Sequence, residues 1–328
     1  MWIEIGTPAS LPLGLVRFKD EREDVTCLMG VTLQHPPVQL FAQPQPGLTL
    51  TGGRADKGNE QAQRFLQQPG LGSGAEIEVE LAIPEGMGLS SEAMLGLTIA
   101  RALAWANNLP FDDAPALANA VGLGSQNALP MWGFAQGGFL LVETAASHGE
   151  AVPRLVRRRA LEHKEQADAW PFVLFMPRLG PSYSGTLEAE RLAQLLRAAP
   201  YISSETGHLL NESLWPAMDN DDIAAFAAAL MAIQQLNYEA LERAGTPYVI
   251  TDEQQGMLDL MRENGALAWG RALTGLALYG VLRGAKASID LRQKMTDRAG
   301  LYGGWVMASI TDNHGSRHTV WDDHPILV

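Results

Sequence analysis

Over residues 76–83 charged and apolar side chains alternate, Glu-Ile-Glu-Val-Glu-Leu-Ala-Ile, the period-two pattern of a strand with one buried face. Pro84 ends it, because proline has no N–H to give to a ladder. Gly86 and Gly88 permit a turn that residues with a Cβ resist. From Leu89 to Ala106 the chain is apolar enough for a buried helix; Ser90 or Ser91 can cap it, and Glu92 adds negative charge to its first turn. Strand, glycine loop and helix start bring free N–H groups together with the positive end of a helix dipole, an arrangement that binds anions, most often phosphate. A Gly-x-Gly loop before a helix is more commonly just a tight connection. Glu85 and Glu92 also oppose a strongly anionic ligand unless they turn outward or hold a metal.

The same periodicities predict strand, turn, strand over residues 1–16, broken at Thr7-Pro8-Ala9-Ser10, then a charged connection over 17–24 and strands over 26–35 and 38–51. A polar helix follows over 56–68, ending at Pro69-Gly70, and a short alanine-rich helix over 114–121. Gly122-Leu123-Gly124-Ser125-Gln126-Asn127 is a second glycine loop, and two such loops favour a phosphate-bearing ligand held by backbone amides. Gly137-Gly138 reads as a bulge that lets the strand from Phe139 pack closely. After a turn over 146–150, Arg154, Arg157, Arg158 and Arg159 form the only dense basic run, read as the solvated face of a strand. A buried strand is expected over 170–177, a helix from Thr186, and a helix or loop over 203–215 in which His208 is structural. Helices are expected over 221–244, 252–264 and 289–299, a strand pair over 266–281, and a last strand over 304–311. The polar run 312–318 just after that strand sits where loops meet ligands.

Composition narrows the class. With 46% hydrophobic residues the chain can bury the core of one large or two medium domains. Lys plus Arg is 24 and Asp plus Glu is 37, so the net charge is −13, which argues against nucleic-acid and membrane-surface partners. Cys27 is the single cysteine, excluding an intrachain disulfide and a cysteine zinc cluster. Residues 1–10 lack a basic region followed by an apolar run, and no apolar stretch reaches the about 20 residues of a membrane span, so the expected location is cytoplasmic. No Gly-x-Ser-x-Gly, His-Glu-x-x-His, EF-hand or Walker pattern occurs, so no catalytic residue is assigned and no protein-held metal is expected. A homodimer is the base-rate assembly.

The order of these pieces is similar to that of the GHMP superfamily, the kinases of galactose, homoserine, mevalonate and phosphomevalonate. Residues 84–91 match its Pro-x-x-x-Gly-Leu-Ser-Ser-type loop opening a helix. Within it the chain most resembles the beta-ribofuranosylaminobenzene 5′-phosphate synthase group. Residues 122–142 match that group's Gly-rich loop and Phe-x-x-Gly-Gly-Phe strand, and Ser184-Gly185 with Glu188 its Ser-Gly-x-x-Glu piece. Leu214-Trp215-Pro216-Ala217 with Asp221, Asp222 and Phe226, then residues 265–280 and Asn313-His314-Gly315, match later pieces in order. The resemblance implies an α/β fold, an α+β two-layer sandwich of GHMP type. Its N-terminal, ribosomal-protein-S5-like half is expected over 1–168 and its C-terminal, ferredoxin-like half over 169–328, with ligand in the cleft between them. Members of the group join 4-hydroxybenzoate or 4-aminobenzoate to phosphoribosyl pyrophosphate, losing pyrophosphate and carbon dioxide, early on the route to tetrahydromethanopterin. On that reading Gly86, Gly88, Ser90 and Ser91 cradle phosphate, and Gly122, Gly124, Ser125 and Asn127 line the second side. Arg271 supplies a charge, Asn313 joins the site, and Mg2+ accompanies phosphoribosyl pyrophosphate.

The chain also departs from the group. Leu11-Pro12-Leu13-Gly14 stands where the group has His-Phe-Gly, Gly88-Leu89-Ser90-Ser91-Glu92 where it has Gly-Ser-Gly-Thr-Gln, and Ser125 and Gln126 where it has Arg-Ser. Residues 266–271 replace Gln-Ser-Ser-Trp-Gly-Pro. Three readings result: the synthase, a non-catalytic binding or subunit protein working with a partner protein of the same pathway, and an ATP-dependent small-molecule kinase. The kinase reading lacks a catalytic Asp in the second loop, where Asn127 is nearest.

Overall fold

The computed structural model of the protein describes residues 1–20, 23–68, 71, 74–145, 152–163, 165–178, 186–301 and 303–325. The expected helix end at Pro69-Gly70, the turn over 146–150 and the Ser184-Gly185 piece lie outside the described residues. β1 (Trp2–Asp20) and β2 (Glu23–Gln45) form one long antiparallel hairpin. The expected break over 7–10 is instead a register shift between Thr7 and Ala9, with a second between Pro12 and Gly14. A bulge absorbs a proline whose missing N–H would interrupt the ladder. The strands expected over 26–35 and 38–51 are likewise one strand as far as Gln45, through a cis His35–Pro36 bond.

β3 (Thr49–Gly52) lies parallel to β4 (Gly74–Leu81), and α1 (Ala55–Leu66) is the crossover between them. Next come α2 (Ser91–Ala106), α3 (Ala114–Ala120), α4 (Ala128–Gln136), β5 (Phe139–Glu143) and β6 (Leu155–Arg159). β2 splits its pairing, with β5 along its first half and β4 along its second. α2 is apolar all round and almost wholly buried, packing on β1, β2 and β4 and between α1, α3 and α4.

A second sheet, ordered β10-β7-β9-β8, is antiparallel throughout. Its strands are β7 (Phe172–Pro177), β8 (Ala268–Arg271), β9 (Leu278–Val281) and β10 (Gly304–Ser309). Its helices are α5 (Leu187–Ala198), α6 (Glu205–Leu209), α7 (Trp215–Asp219), α8 (Ile223–Arg243), α9 (Asp252–Glu263) and α10 (Ala285–Ala299). The chain then returns as β11 (Arg317–Trp321) to the far side of β1. The architecture is mixed α/β with two sheets. No helix among the described residues is long and apolar enough to cross a membrane.

Asn237 on α8 joins the two layers. It is fully buried. Its Oδ1 accepts from Leu15 N at 2.7 Å, and its Nδ2 donates to Leu15 O at 2.9 Å and Ile233 O at 2.8 Å. The amide thus stands in for a neighbouring strand along the open edge of β1. Asn237→Ala is expected to lower the unfolding free energy by about 2 to 4 kcal/mol, because it leaves both Leu15 backbone groups buried without partners. Urea unfolding of the two proteins checks this.

Candidate functional site

Between β4 and α2 the backbone turns left-handed three times, at Gly86 (φ 72°), Gly88 (φ 77°) and Ser90 (φ 59°). Two neighbours hold that path. From the turn between β8 and β9, Leu276 N donates to Gly86 O and Ala277 N to Met87 O, both at 3.0 Å. A Cβ on Gly88 would lie 2.6 Å from Gly275 N, and one on Gly275 would lie 1.9 Å from Gly88 N, so only glycine fits at either place. On the other side Ser10 N donates to Leu89 O at 3.2 Å, and Ser90 Oγ donates to Ser10 O at 3.2 Å. That last bond overturns the expected serine cap at Ser90, whose side chain is spent on β1 and leaves the helix N-terminus without a local cap.

The cap comes from α5 instead. Glu188 Oε1 accepts from Gly88 N at 2.8 Å, and its Oε2 accepts from Ser91 N at 3.1 Å. Burial pushes the Glu188 carboxyl above its ordinary pKa, against the pull of the Gly88, Ser91 and Leu89 amides and the Arg54 charge. These amides, expected to lie open to a ligand oxyanion, are plugged by a carboxyl group of the protein itself. Glu85 raises no objection to an anion, since it is ion-paired with Arg54.

Glu188 also lines a cavity of about 180 Å³. Among the expected residues, Ser90, Gly122, Gly124 and Asn127 share that lining with it. Pro12, Leu28, Leu129 and Leu192 form an apolar wall, while Gln61, Arg64, Glu92 and Gln126 supply polar groups. Ser91 contributes its N–H to the cradle, and Gly86 and Gly88 shape the loop without lining the cavity. Ser125 lines a neighbouring hollow, beside Asn119 and Met131.

Two expected contacts are placed elsewhere. Arg271 is buried beside Tyr248, its guanidinium 3.8 Å from the ring centroid and its Nη1 donating to Val249 O at 2.6 Å. The guanidinium packs on Tyr248 with Nε and Nη2 buried without hydrogen-bond partners, and Arg271 does not line the cavity that Glu188 shares. Asn313 spends its side chain on Leu161, accepting from its N–H at 2.9 Å and donating to its C=O at 3.0 Å. The polar run 312–318 is likewise structural: Asp312 O accepts from Gly138 N at 2.6 Å, and the close packing is of Gly137 against this segment and of Gly138 against Arg159. The basic strand β6 is occupied too, with Arg159 on Asp219 and Arg158 on the carbonyls of Gln136, Gly137 and Asn313. His208 is exposed, beside Glu212. Among the described residues no group of three or more His, Cys, Asp or Glu is placed to hold a metal.

Glu188, Arg64 and Gln61 were not expected at the site. Glu188 carried a signal in the Ser-Gly-x-x-Glu piece, which did not say what it touches. Arg64 and Gln61 lie in a polar helix where nothing local marks them.

Comparison with known proteins places the fold. No family model matches the chain. The structure resembles mevalonate diphosphate decarboxylase from Staphylococcus aureus, with a TM-score of 0.62 at 16% identity over 97% of this chain and 98% of that one. It also resembles homoserine kinase from Cytophaga hutchinsonii, with a TM-score of 0.62 at 14% identity over 97% of each chain. The protein thus has the GHMP-type fold. In sequence it is similar to beta-ribofuranosylphenol 5′-phosphate synthase from Methanothermobacter thermautotrophicus, 25% identical over 299 residues that cover 84% of this chain and 88% of that protein. The protein of the same name from Archaeoglobus fulgidus is 22% identical over 252 residues, 73% of this chain and 78% of its own. The resemblance read from the sequence, to the GHMP superfamily and to this synthase group within it, holds.

Removal of the internal oxyanion is testable. Glu188→Ala is expected to lower the unfolding free energy by about 1 to 2 kcal/mol, because the freed amides lose a charged acceptor. Inorganic phosphate should then raise the melting temperature of the variant more than that of the wild type. The pH dependence has a definite sign. A carboxyl whose pKa is raised on folding adds stability that is complete in acid and is lost as pH rises through the folded value. As pH rises from about 4, the ordinary carboxyl range, urea midpoints of the wild type should therefore fall relative to those of Glu188→Gln.

Proposed function

We propose that the protein is a phosphoribosyl-transferring synthase of the beta-ribofuranosylaminobenzene 5′-phosphate synthase type. It condenses 4-hydroxybenzoate or 4-aminobenzoate with phosphoribosyl pyrophosphate on the route to tetrahydromethanopterin. The observation that carries this reading is the Glu188 carboxylate on the Gly88 and Ser91 amides, at the edge of a cavity with one apolar wall. A loop that holds two carboxylate oxygens has the donors a phosphate needs. The names of the sequence relatives supply the reaction class.

The chemistry asked of the site is modest. The anomeric C–O bond of the donor breaks, and its electron pair leaves with pyrophosphate. The ring carbon bearing the carboxylate joins the anomeric carbon, and carbon dioxide departs, leaving the pair of its C–C bond in the ring. No oxidant or reductant is required. The cradle stabilises the departing pyrophosphate once Glu188 gives way. The wall of Pro12, Leu28 and Leu129 seats the ring and keeps water from it. Mg2+ would arrive on the pyrophosphate oxygens, which suits an ion that needs few protein ligands.

Glu188 also favours a second reading, a binding protein of the same pathway whose cradle stays closed by its own carboxylate. One assay separates them. The synthase releases pyrophosphate from phosphoribosyl pyrophosphate only when a hydroxy- or aminobenzoate is added, with carbon dioxide in equal amount. Absence of release across a benzoate panel favours the binding protein, and ATP consumption with a small alcohol favours a kinase.

A further inference from the structure

Gln61 and Arg64 stand three residues apart on α1, and both line the cavity, so one face of that helix forms part of its wall. Gln61 is only 4% exposed. Its Nε2 donates to Glu92 O at 2.9 Å, which fixes the amide and leaves Oε1 as a buried acceptor without a donor. Space for this arrangement comes from Gly96 on α2, where a Cβ would lie 2.8 Å from Gln61 Nε2. Buried acceptors are almost always satisfied, and this one reaches a ligand donor only when the Gln61 side chain turns its oxygen toward the cavity that the residue lines.

Arg64 is exposed, and its guanidinium makes no hydrogen bond or ion pair among the described residues. It lies over the second glycine loop, with Nη1 3.5 Å from where a Gly122 Cβ would be. Among the described residues lining this cavity it is the one cation, against the carboxylates of Glu92 and Glu188.

We infer that this face of α1 is a sugar-phosphate subsite, in which Arg64 holds the phosphate of a phosphorylated pentose and Gln61 Oε1 accepts a hydrogen bond from one of its hydroxyls. An adjacent hydroxyl donor and anion are what a sugar phosphate presents. The inference rests on the phosphoribosyl reading and divides the donor between two places, with pyrophosphate on the Gly88–Ser91 amides and the 5′-phosphate on Arg64. A benzoate carboxylate is the poorer match for Arg64. It must leave as neutral carbon dioxide, which the apolar wall assists and a guanidinium would oppose.

Calorimetric titration tests this, with ribose 5-phosphate, pyrophosphate and 4-hydroxybenzoate as separate probes. Arg64→Ala should weaken ribose 5-phosphate about tenfold or more, and Arg64→Lys should restore much of that. Pyrophosphate and 4-hydroxybenzoate should change less than about twofold, and the melting temperature should hold, because the Arg64 guanidinium has no hydrogen-bond or ion-pair partner among the described residues. Gln61→Met should weaken ribose 5-phosphate while leaving inorganic phosphate unchanged. Wild-type binding of ribose 5-phosphate that Arg64→Ala leaves intact overturns the subsite alone, as does an equal loss of pyrophosphate. A wild type that binds neither ribose 5-phosphate nor phosphoribosyl pyrophosphate overturns the phosphoribosyl reading and this inference together.

Discussion

The site depends on one backbone contact, that of Gly88 against Gly275. The two main chains approach so closely that a Cβ on either residue would fall within 2.6 Å of the other's backbone nitrogen. Hydrogen bonds from Leu276 to Gly86 and from Ala277 to Met87 flank the contact. Together they tie the loop that follows a strand of the first sheet to a turn of the second. The direction of the loop amides is therefore a property of how the two sheets are assembled. The same assembly delivers Glu188, since α5 follows β7, a strand of the second sheet.

Holding a carboxylate there has opposing terms. Ser90 is kept left-handed, which costs a residue with a Cβ about 1 to 2 kcal/mol. Burial disfavours the charge on Glu188, and its pKa is raised even though the Gly88, Leu89 and Ser91 amides and the Arg54 charge favour the ionised form. A rigid receptor thus holds an anion that is not fully at ease in it. This is the condition under which an outside anion can exchange with the internal one, because the receptor geometry is already set and the resident charge regains hydration when it leaves.

Much of this was legible in the sequence, and what was not has a common cause. Period-two and helical patterns located β4, α1, α3, α9 and the β8–β9 pair to within a few residues, because those elements bury one face against a core. Prolines misled over 7–10 and 36–37, where a bulge and a cis bond carry a strand through what reads as a break. The glycine loop was found, yet the reason for its glycines was only half visible. Gly88 is required by Gly275, a partner far along the chain. Glu188 lies 100 residues from Gly88, so nothing local distinguishes it as the cap. Arg271 and Asn313 lie away from this cavity because they pack on Tyr248 and Leu161, and only tertiary structure brings those pairs together.

An acidic protein with a net charge of −13 and two carboxylates on its cavity is a poor host for a simple anion. Exchange at the cradle replaces one anion by another on the same donors, so those hydrogen bonds contribute little net binding to a small phosphate. A ligand gains only through contacts that Glu188 does not make. It must also offset the loss of the intramolecular arrangement, in which the resident carboxylate is tethered and present at high effective concentration. Such a site discriminates by reach. An ion that touches the cradle alone competes badly, whereas a molecule that spans from the Gly88–Ser91 amides to the apolar wall and to α1 adds interactions with no internal counterpart. The internal carboxylate then makes affinity conditional on several simultaneous contacts, which adds to the repulsion by which the site rejects abundant small anions.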